Sequence, residues 1–430
     1  MSFQQGLSGL NAASKNLEVI GNNVANSSTV GFKQSQAQFA DVFANSLSGA
    51  GASQIGIGTK LSTVAQQFTQ GNVTASNNPM DIAIKGAGFF IMDVNGAQFY
   101  SRNGQFQLNK DGYIVNADGA HLTGYPADAS GNIPTSGGAL GSLQINTADF
   151  APRATGGVAP QIKAMAALLN LNSGSVPPSS LTPPVAPFDR LNPASYNEST
   201  QIPVYDSLGN SHMLQTFYVK SSTAPAPPVA ATWDVYAVLD PDLTASPSVS
   251  VGSLTFDSNG KLLSAPLTTT AITGFAAYAS GATAPNLAID FTGTTQFGSK
   301  FGVNKFTQDG FASGHLSSFT TGADGTVTGT YTNGNNATLG KVALANFTNP
   351  NGLQSLGNNL WSATAASGAA LVGSPNTASL GVLQSLAVEE SNVDLTAELV
   401  NMITAQRIYQ ANAQTIKTQD QVMQTLVNLR

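Results

Sequence analysis

The sequence predicts a mainly β protein on an α-helical stem. The N- and C-terminal helices are expected to pair in a coiled-coil-like inner domain, with nested antiparallel β domains inserted between them. Three observations point to this class. Both ends of the chain carry apolar residues in alternating steps of three and four. The interior is punctuated by Asn-Gly and Asp-Gly pairs between short β-branched and aromatic runs, the pattern of successive hairpins. Sixteen of the 21 prolines fall between Pro152 and Pro285, which sets one stretch of β texture apart from the rest.

In chain order, the N-terminal helix presents Phe3, Leu7, Leu10, Leu17 and Val24 on one stripe, with Ser14 and Gly21 in the same register. Its remaining faces are Asn, Gln, Ser, Ala and Gly, with only Lys15 and Glu18 charged. A solvated helix normally carries more charge, and small uncharged residues allow close approach on several sides. Residues 1–30 are therefore read, together with 380–430, as an inner helical polymerisation domain. Residues 31–70 and 360–379 read as connecting segments. From 71 to 147 strands alternate with turns at Asp93-Val-Asn-Gly96, Arg102-Asn-Gly104, Lys110-Asp-Gly112 and Ala117-Asp-Gly119, giving a middle β domain that 304–359 completes, with Thr307-Gln-Asp-Gly310 and Ala323-Asp-Gly325 as further turns. Residues 148–303 form the proline-rich outer domain, whose strands between proline-bearing loops suit a barrel-like fold. The closing helix, from about Ser391, places Leu395, Leu399, Met402, Tyr409, Ala413, Ile416, Met423 and Val427 on one stripe interrupted by Gln406 and Asp420. Ser391 and Asp394 offer a capping box, and about 35 residues make a rod of roughly 50 Å. A single amphipathic helix most commonly packs on its own domain; two of them at opposite ends favour an assembly subunit.

A chain of 430 residues accommodates about two to four domains. Net charge −6 with 9% charged residues excludes a basic nucleic-acid-binding face. The absence of cysteine removes disulfide and thiol chemistry. No stretch approaches the roughly 18 apolar residues of a membrane span, and Met1–Leu10 lacks the cationic start and apolar core of a secretory signal, so composition alone would place the protein in the cytoplasm. No catalytic residue, cofactor or metal is expected. His121, His212 and His315 are far apart and read as turn or surface residues. Gly86-Ala-Gly88 lacks the rest of a nucleotide-binding loop and reads as close backbone packing. Asp93–Gly96 and Asp257–Gly260 lack the further acidic ligands of a calcium loop and read as hairpin turns. Glu389-Glu390, near the start of the last helix, reads as a favourable interaction with the helix dipole.

The twelve residues NNVANSSTVGFK, Asn22 to Lys33, would by themselves suggest no more than a helix terminator, with Gly31 in a positive-φ conformation. They also fit, without a gap, the pattern NN-x-AN-x-x-T-x-G-[FY]-K through Asn22, Asn23, Ala25, Asn26, Thr29, Gly31, Phe32 and Lys33. In this the chain resembles the bacterial flagellar axial proteins, the rod and hook family. Phe39–Leu47 (FADVFANSL), Phe68–Phe90, Leu356–Trp361 (LGNNLW), Val393–Gln421 and, in the middle, Pro203–His212 look like the hook branch. The resemblance implies a structural subunit of the flagellar hook, self-assembling into a curved hollow tube that acts as a universal joint, with the three groups of residues named above as assembly residues. It implies an extracellular location after export without a cleaved signal, and as partners further copies of the chain, the distal rod, hook cap and hook-filament junction proteins and the export apparatus. Nucleic acid and membrane insertion are not expected. It further implies that the terminal helices lie at the inner radius and the proline-rich insert outermost. Both ends are expected to be disordered in the free chain and to fold on assembly. A distal rod protein, which lacks so large an insert, and a secreted β-rich adhesin, which has no need of heptads at both ends, are the alternatives.

Overall fold

The computed structural model describes residues 2–42, 56–128, 131–133, 138–145, 149–156, 165–185, 187–221, 231–240, 248–263, 282 and 287–428. Phe39–Leu47 thus lies partly outside the described residues. The chain divides into two units: Met1–Thr147 with Ser317–Thr330 and Asn336–Arg430, and Ala148–Leu316 with Tyr331–Asn335.

The first unit begins with helix α1 (Ser2–Ala25) and ends with helix α2 (Leu395–Asn428), which pack against each other antiparallel, Gly6 opposite Ile416 and Asn23 beside Glu398. After α1 the chain forms an antiparallel hairpin of strands β1 (Ser35–Val42) and β2 (Gly58–Gln66), with a bulge at Gln38 and Phe39, that lies against α1. The β body of the unit is a sheet in which Phe89–Val94 pairs with Ala97–Ser101, His121–Pro126 and Leu344–Asn346. Alternation along these strands turns Phe89, Ile91, Tyr100, Ala343, Ala345, Phe347 and Trp361 into one core. Phe68, from the segment after β2, stands edge-on to Phe89 and Trp361, with ring centroids at 5.5 and 5.6 Å. Two short ladders return the C-terminal stretch to this body: Val382–Ser385 pairs with Ile82–Lys85, and Ala387–Glu389 pairs with Val73–Ala75.

The second unit contains a four-stranded antiparallel sheet, Glu198–Tyr205, Ser211–Lys220, Ala231–Leu239 and Ser248–Phe256 in that order. Its second sheet centres on Met165–Asn172, which pairs antiparallel with Gly302–Gln308 and in parallel with Ile289–Asp290 and Thr295–Phe297. The two sheets enclose a core of Leu169, Leu171, Tyr218, Trp233, Phe256 and Phe291. Residues 304–316 and 331–335, read from the sequence with the middle domain, lie in this unit, where Lys305–Gln308 pairs with Met165–Leu168.

Most of the expected turns form. At Gly112, φ is +80°, and the Asn109 carboxamide oxygen accepts the backbone N–H groups of Asp111 and Tyr113. Arg102-Asn-Gly104 is different, because the chain here runs through the interior: a Cβ at Gly104 would meet the Ile82 carbonyl, and Arg102 is buried. Asp309, expected in a turn, instead pairs with Arg153 at 2.9 Å. His212 is not a simple surface residue: its ring lies between Asp240 (2.8 Å) and Asp206 (3.3 Å). His121 stacks on Tyr113 and His315 bonds to Asp149. Gly86 and Gly88 pack closely on Gly381 and Leu380.

Candidate functional site

The residues from Asn22 to Lys33 close α1 and bring the chain to a crossing of four segments. Asn26 folds back on the last turn: its backbone N–H donates to the carbonyls of Asn22 and Asn23, and its side-chain amide donates to the carbonyl and Oδ1 of Asn22. Thr29 Oγ1 donates to Asn26 Oδ1, and the Phe32 N–H to the Thr29 carbonyl. Such a knot uses carbonyls that a helix end otherwise leaves unpaired. Gly31 then takes φ +74°, donates its N–H to the Glu389 carbonyl at 2.8 Å, and passes so near Asn103 that a Cβ would sit 2.5 Å from the Asn103 nitrogen. Asn22 and Ala25 face solvent, and Phe32 is half-buried.

Asn23 is 1% exposed. Its Oδ1 accepts the Ser35 N–H, and its amide donates to the Ser35 carbonyl and to Glu398 Oε1, so one side chain ties α1 to both β1 and α2. Gln34 also donates to Glu398 Oε1, while its backbone N–H donates to Asn392 Oδ1; the Asn392 amide reaches the carbonyls of Gln67 and Thr69.

Lys33 ends the segment with its ammonium wholly buried, 2.7 Å from Glu389 Oε1 and 2.8 Å from the Thr69 carbonyl. Glu389 Oε1 also accepts the Gly71 N–H, and Oε2 accepts from Arg102 Nη1 at 3.0 Å. Arg102 donates further to the Gly86 carbonyl and lies over the Phe89 ring at 5.4 Å. One carboxylate thus serves two buried cations that lie far apart in the sequence. Burial pushes the titration of both Lys33 and Arg102 down, and Glu389 opposes that shift. The Glu389-Glu390 pair was expected to act on the helix dipole; Glu389 instead belongs to a strand and to this ion cluster. The cap of α2 is Asp394, whose Oδ1 accepts the N–H groups of Thr396 and Ala397, while Ser391 Oγ accepts only from Val393. Sequence reasoning missed Arg102, Glu389, Asn392 and Glu398, because their partners lie hundreds of positions away; the scarcity of charge was the one available signal.

The seam between the helices is narrower than the apolar stripes suggested. On α1 the residues turned inward are Gly6, Ala13, Ile20 and Asn23, and on α2 they are Glu398, Met402, Ala405, Asn412 and Ile416. Glycine permits the approach: a Cβ at Gly6 would lie 3.1 Å from Ile416, and one at Gly9 2.8 Å from Asn412. Of the N-terminal stripe, Phe3 and Leu7 are exposed and Leu10, Leu17 and Val24 are half-buried. Of the C-terminal stripe, Met402, Ala413 and Ile416 are half-buried, whereas Leu395, Leu399, Tyr409, Met423 and Val427 are exposed, joined by Val400, Ile403, Ile408 and Val422. Met423 and Val427 overhang, because α1 reaches its first residue shortly beyond Gly6. Between α1, β1 and α2 lies a groove of about 640 Å³, lined by Asn16, Ile20, Gln34, Phe39, Glu398 and Asn401 among others. Glu398 is 3% exposed, and its Oε2 has no hydrogen-bond partner among the described residues.

Comparison with known proteins gives a consistent result along the chain. Residues 3–33 match the family description "Flagella basal body rod protein", 83–153 "Flagellar hook protein FlgE/F/G D1 domain", 170–311 "Flagellar basal body protein FlaE D2 domain" and 384–429 "Flagellar basal body rod FlgEFG protein C-terminal". The chain is 42% identical to the flagellar hook protein FlgE of Escherichia coli K12 over 436 aligned residues, covering 100% of both chains, and the same figures hold for that of Salmonella typhimurium LT2. It is 29% identical to the FlgE of Borreliella burgdorferi, over 100% of this chain and 99% of the relative. The crystal structure of Helicobacter pylori flagellar hook protein FlgE2 shares the fold, with a TM-score of 0.52 at 14% identity over 74% of this chain and 100% of that one.

Proposed function

The chain belongs to the flagellar hook protein FlgE family, and on that premise we propose that its two terminal helices are the device by which this structural hook subunit polymerises. The subunit acts in the bacterial flagellum, outside the cell, as part of the hook. The observation that carries the proposal is the division of labour on α1 and α2. Small and polar residues with Ile20, Met402 and Ile416 make the internal seam, and the apolar residues Phe3, Leu7, Leu395, Leu399 and Ile403 are left outward. Exposed apolar surface of this extent on paired helices marks an interaction face, and copies of the same helices are its natural cover. Asn22 to Lys33 supports that device by fixing the exit of α1 on β1, α2 and the β body.

The polymer is read as a curved tube that flexes as a universal joint. Its ends are read as meeting the distal rod, the hook cap and the hook-filament junction, and its subunits as delivered by the flagellar export apparatus. The chemistry is mechanical, not catalytic. Full-length alignment with hook proteins favours the hook over the distal rod, and the outward helical faces have no role in an adhesin. The test is to concentrate the full-length chain beside a version lacking residues 1–30 and 391–430 and examine both by negative-stain microscopy. Tubes from the full-length chain alone are expected; tubes from both would place assembly in the β units.

A further inference from the structure

Among the described residues, Glu398 is the buried carboxylate of the helical stem, and it is left half-used. Oε1 accepts from the amides of Asn23 and Gln34, while Oε2 is buried without a partner among the described residues, in a residue that lines the groove between α1, β1 and α2. A buried acceptor without a donor is costly, so a group that supplies one has a ready-made place. The groove is large enough for a long side chain, and around Glu398 it offers the further polar groups of Asn16, Asn401 and Thr404.

The same helix carries the complementary charge. Arg407 is exposed and forms no ion pair among the described residues. It stands nine positions after Glu398, which at about 100° per residue puts it on the opposite side of α2, roughly 13 Å along the axis. Lys15 is occupied by Glu18 at 2.7 Å, and Lys417 is on the flank. A groove on one face and its complement on the other make a heterologous pair of surfaces, the arrangement that repeats into an open polymer. A guanidinium also suits the groove chemically, since its fixed fork of donors can satisfy a carboxylate oxygen and neighbouring amide oxygens together.

We propose that this groove receives Arg407 of a second copy of the chain, its guanidinium donating to Glu398 Oε2. The proposal rests on the assembly reading above and adds to it the register of neighbouring α2 helices. The test measures the critical concentration for polymerisation of the full-length chain and of Arg407→Gln, Glu398→Gln and the double variant. Arg407→Gln, an exposed site, is expected to keep the wild-type circular dichroism and thermal midpoint as a free chain while raising the critical concentration about 10- to 100-fold. The double variant is expected to be no worse than the more impaired single variant. An unchanged critical concentration for Arg407→Gln, or additive effects in the double variant, would overturn the pairing. So would an effect of Glu398→Gln alone, which would show that the groove takes its donor from elsewhere. A wild-type chain that formed no polymer would instead overturn the assembly reading itself.

Discussion

Glu389 shows how a single side chain can organise a junction. It holds Lys33 from the exit of α1 and Arg102 from the β body, with the Gly71 N–H as a third donor. The cluster carries two cations and one anion in the interior, so its members are not equivalent. Lys33→Met would leave Arg102 and Glu389 as a balanced pair; Glu389→Gln would strand two buried cations. Breaking a buried pair by removing one partner costs about 3–5 kcal/mol. Glu389→Gln is therefore expected to destabilise the first unit by about that amount, and Lys33→Met by clearly less. Urea unfolding followed through Trp361, in a Trp233→Phe background so that one unit reports, measures both; equal losses would contradict the asymmetry. None of this was legible in the sequence. Lys33 stood out through its motif and Gly31 through its expected left-handed turn, which the structure shows at φ +74°. Arg102 looked like a turn residue and Glu389 like a dipole partner, because ion pairs across hundreds of residues leave no local pattern.

At the scale of elements, helix existence was plain from periodicity, whereas the choice of buried face was not. Periodicity reports where large apolar residues recur, and on α1 these are Phe3, Leu7, Leu10, Leu17 and Val24. The internal seam instead runs along Gly6, Ala13 and Ile20, where small residues allow close backbone approach. A stripe of glycine and alanine carries little apolar weight, so pattern reading passes over it. If the large residues serve contacts between copies, as proposed, a charge placed among them should spare the fold and harm the polymer. Leu399→Lys, at a position 44% exposed in the single chain, is expected to shift urea unfolding by no more than about 0.5 kcal/mol. It should also raise the critical concentration for polymerisation at least about tenfold, through loss of burial of one leucine. A variant that polymerises like the wild type would remove this face of α2 from the interface.

At the scale of the whole molecule, the rise in proline density from Pro152 falls near the start of the second unit at Ala148, whereas its end at Leu316, and its return at Tyr331–Asn335, carry no such signal in the sequence. Each of the two units holds one of the chain's two tryptophans in its core, Trp361 in the first and Trp233 in the second. Each encloses a continuous apolar cluster, as a self-sufficient β body should. The helical stem has much less: buried along its seam are Ala13, Ile20 and Ala405 with the polar Asn23 and Glu398. Such a thin contact supports the proposal that the stem orders fully only when copies surround it, since ordering a backbone residue costs on the order of 1–2 kcal/mol and must be offset by burial.

Hydrogen exchange of the free chain and of the sedimented polymer, read by peptide mass spectrometry, tests this claim most directly. The account predicts that amides of α1 and α2 exchange rapidly in the free chain and become strongly protected in the polymer, while the strand amides of both β units are protected in each. Equal protection of the two helices in both states would contradict it, and would return the helices to the role of an ordinary intramolecular pair.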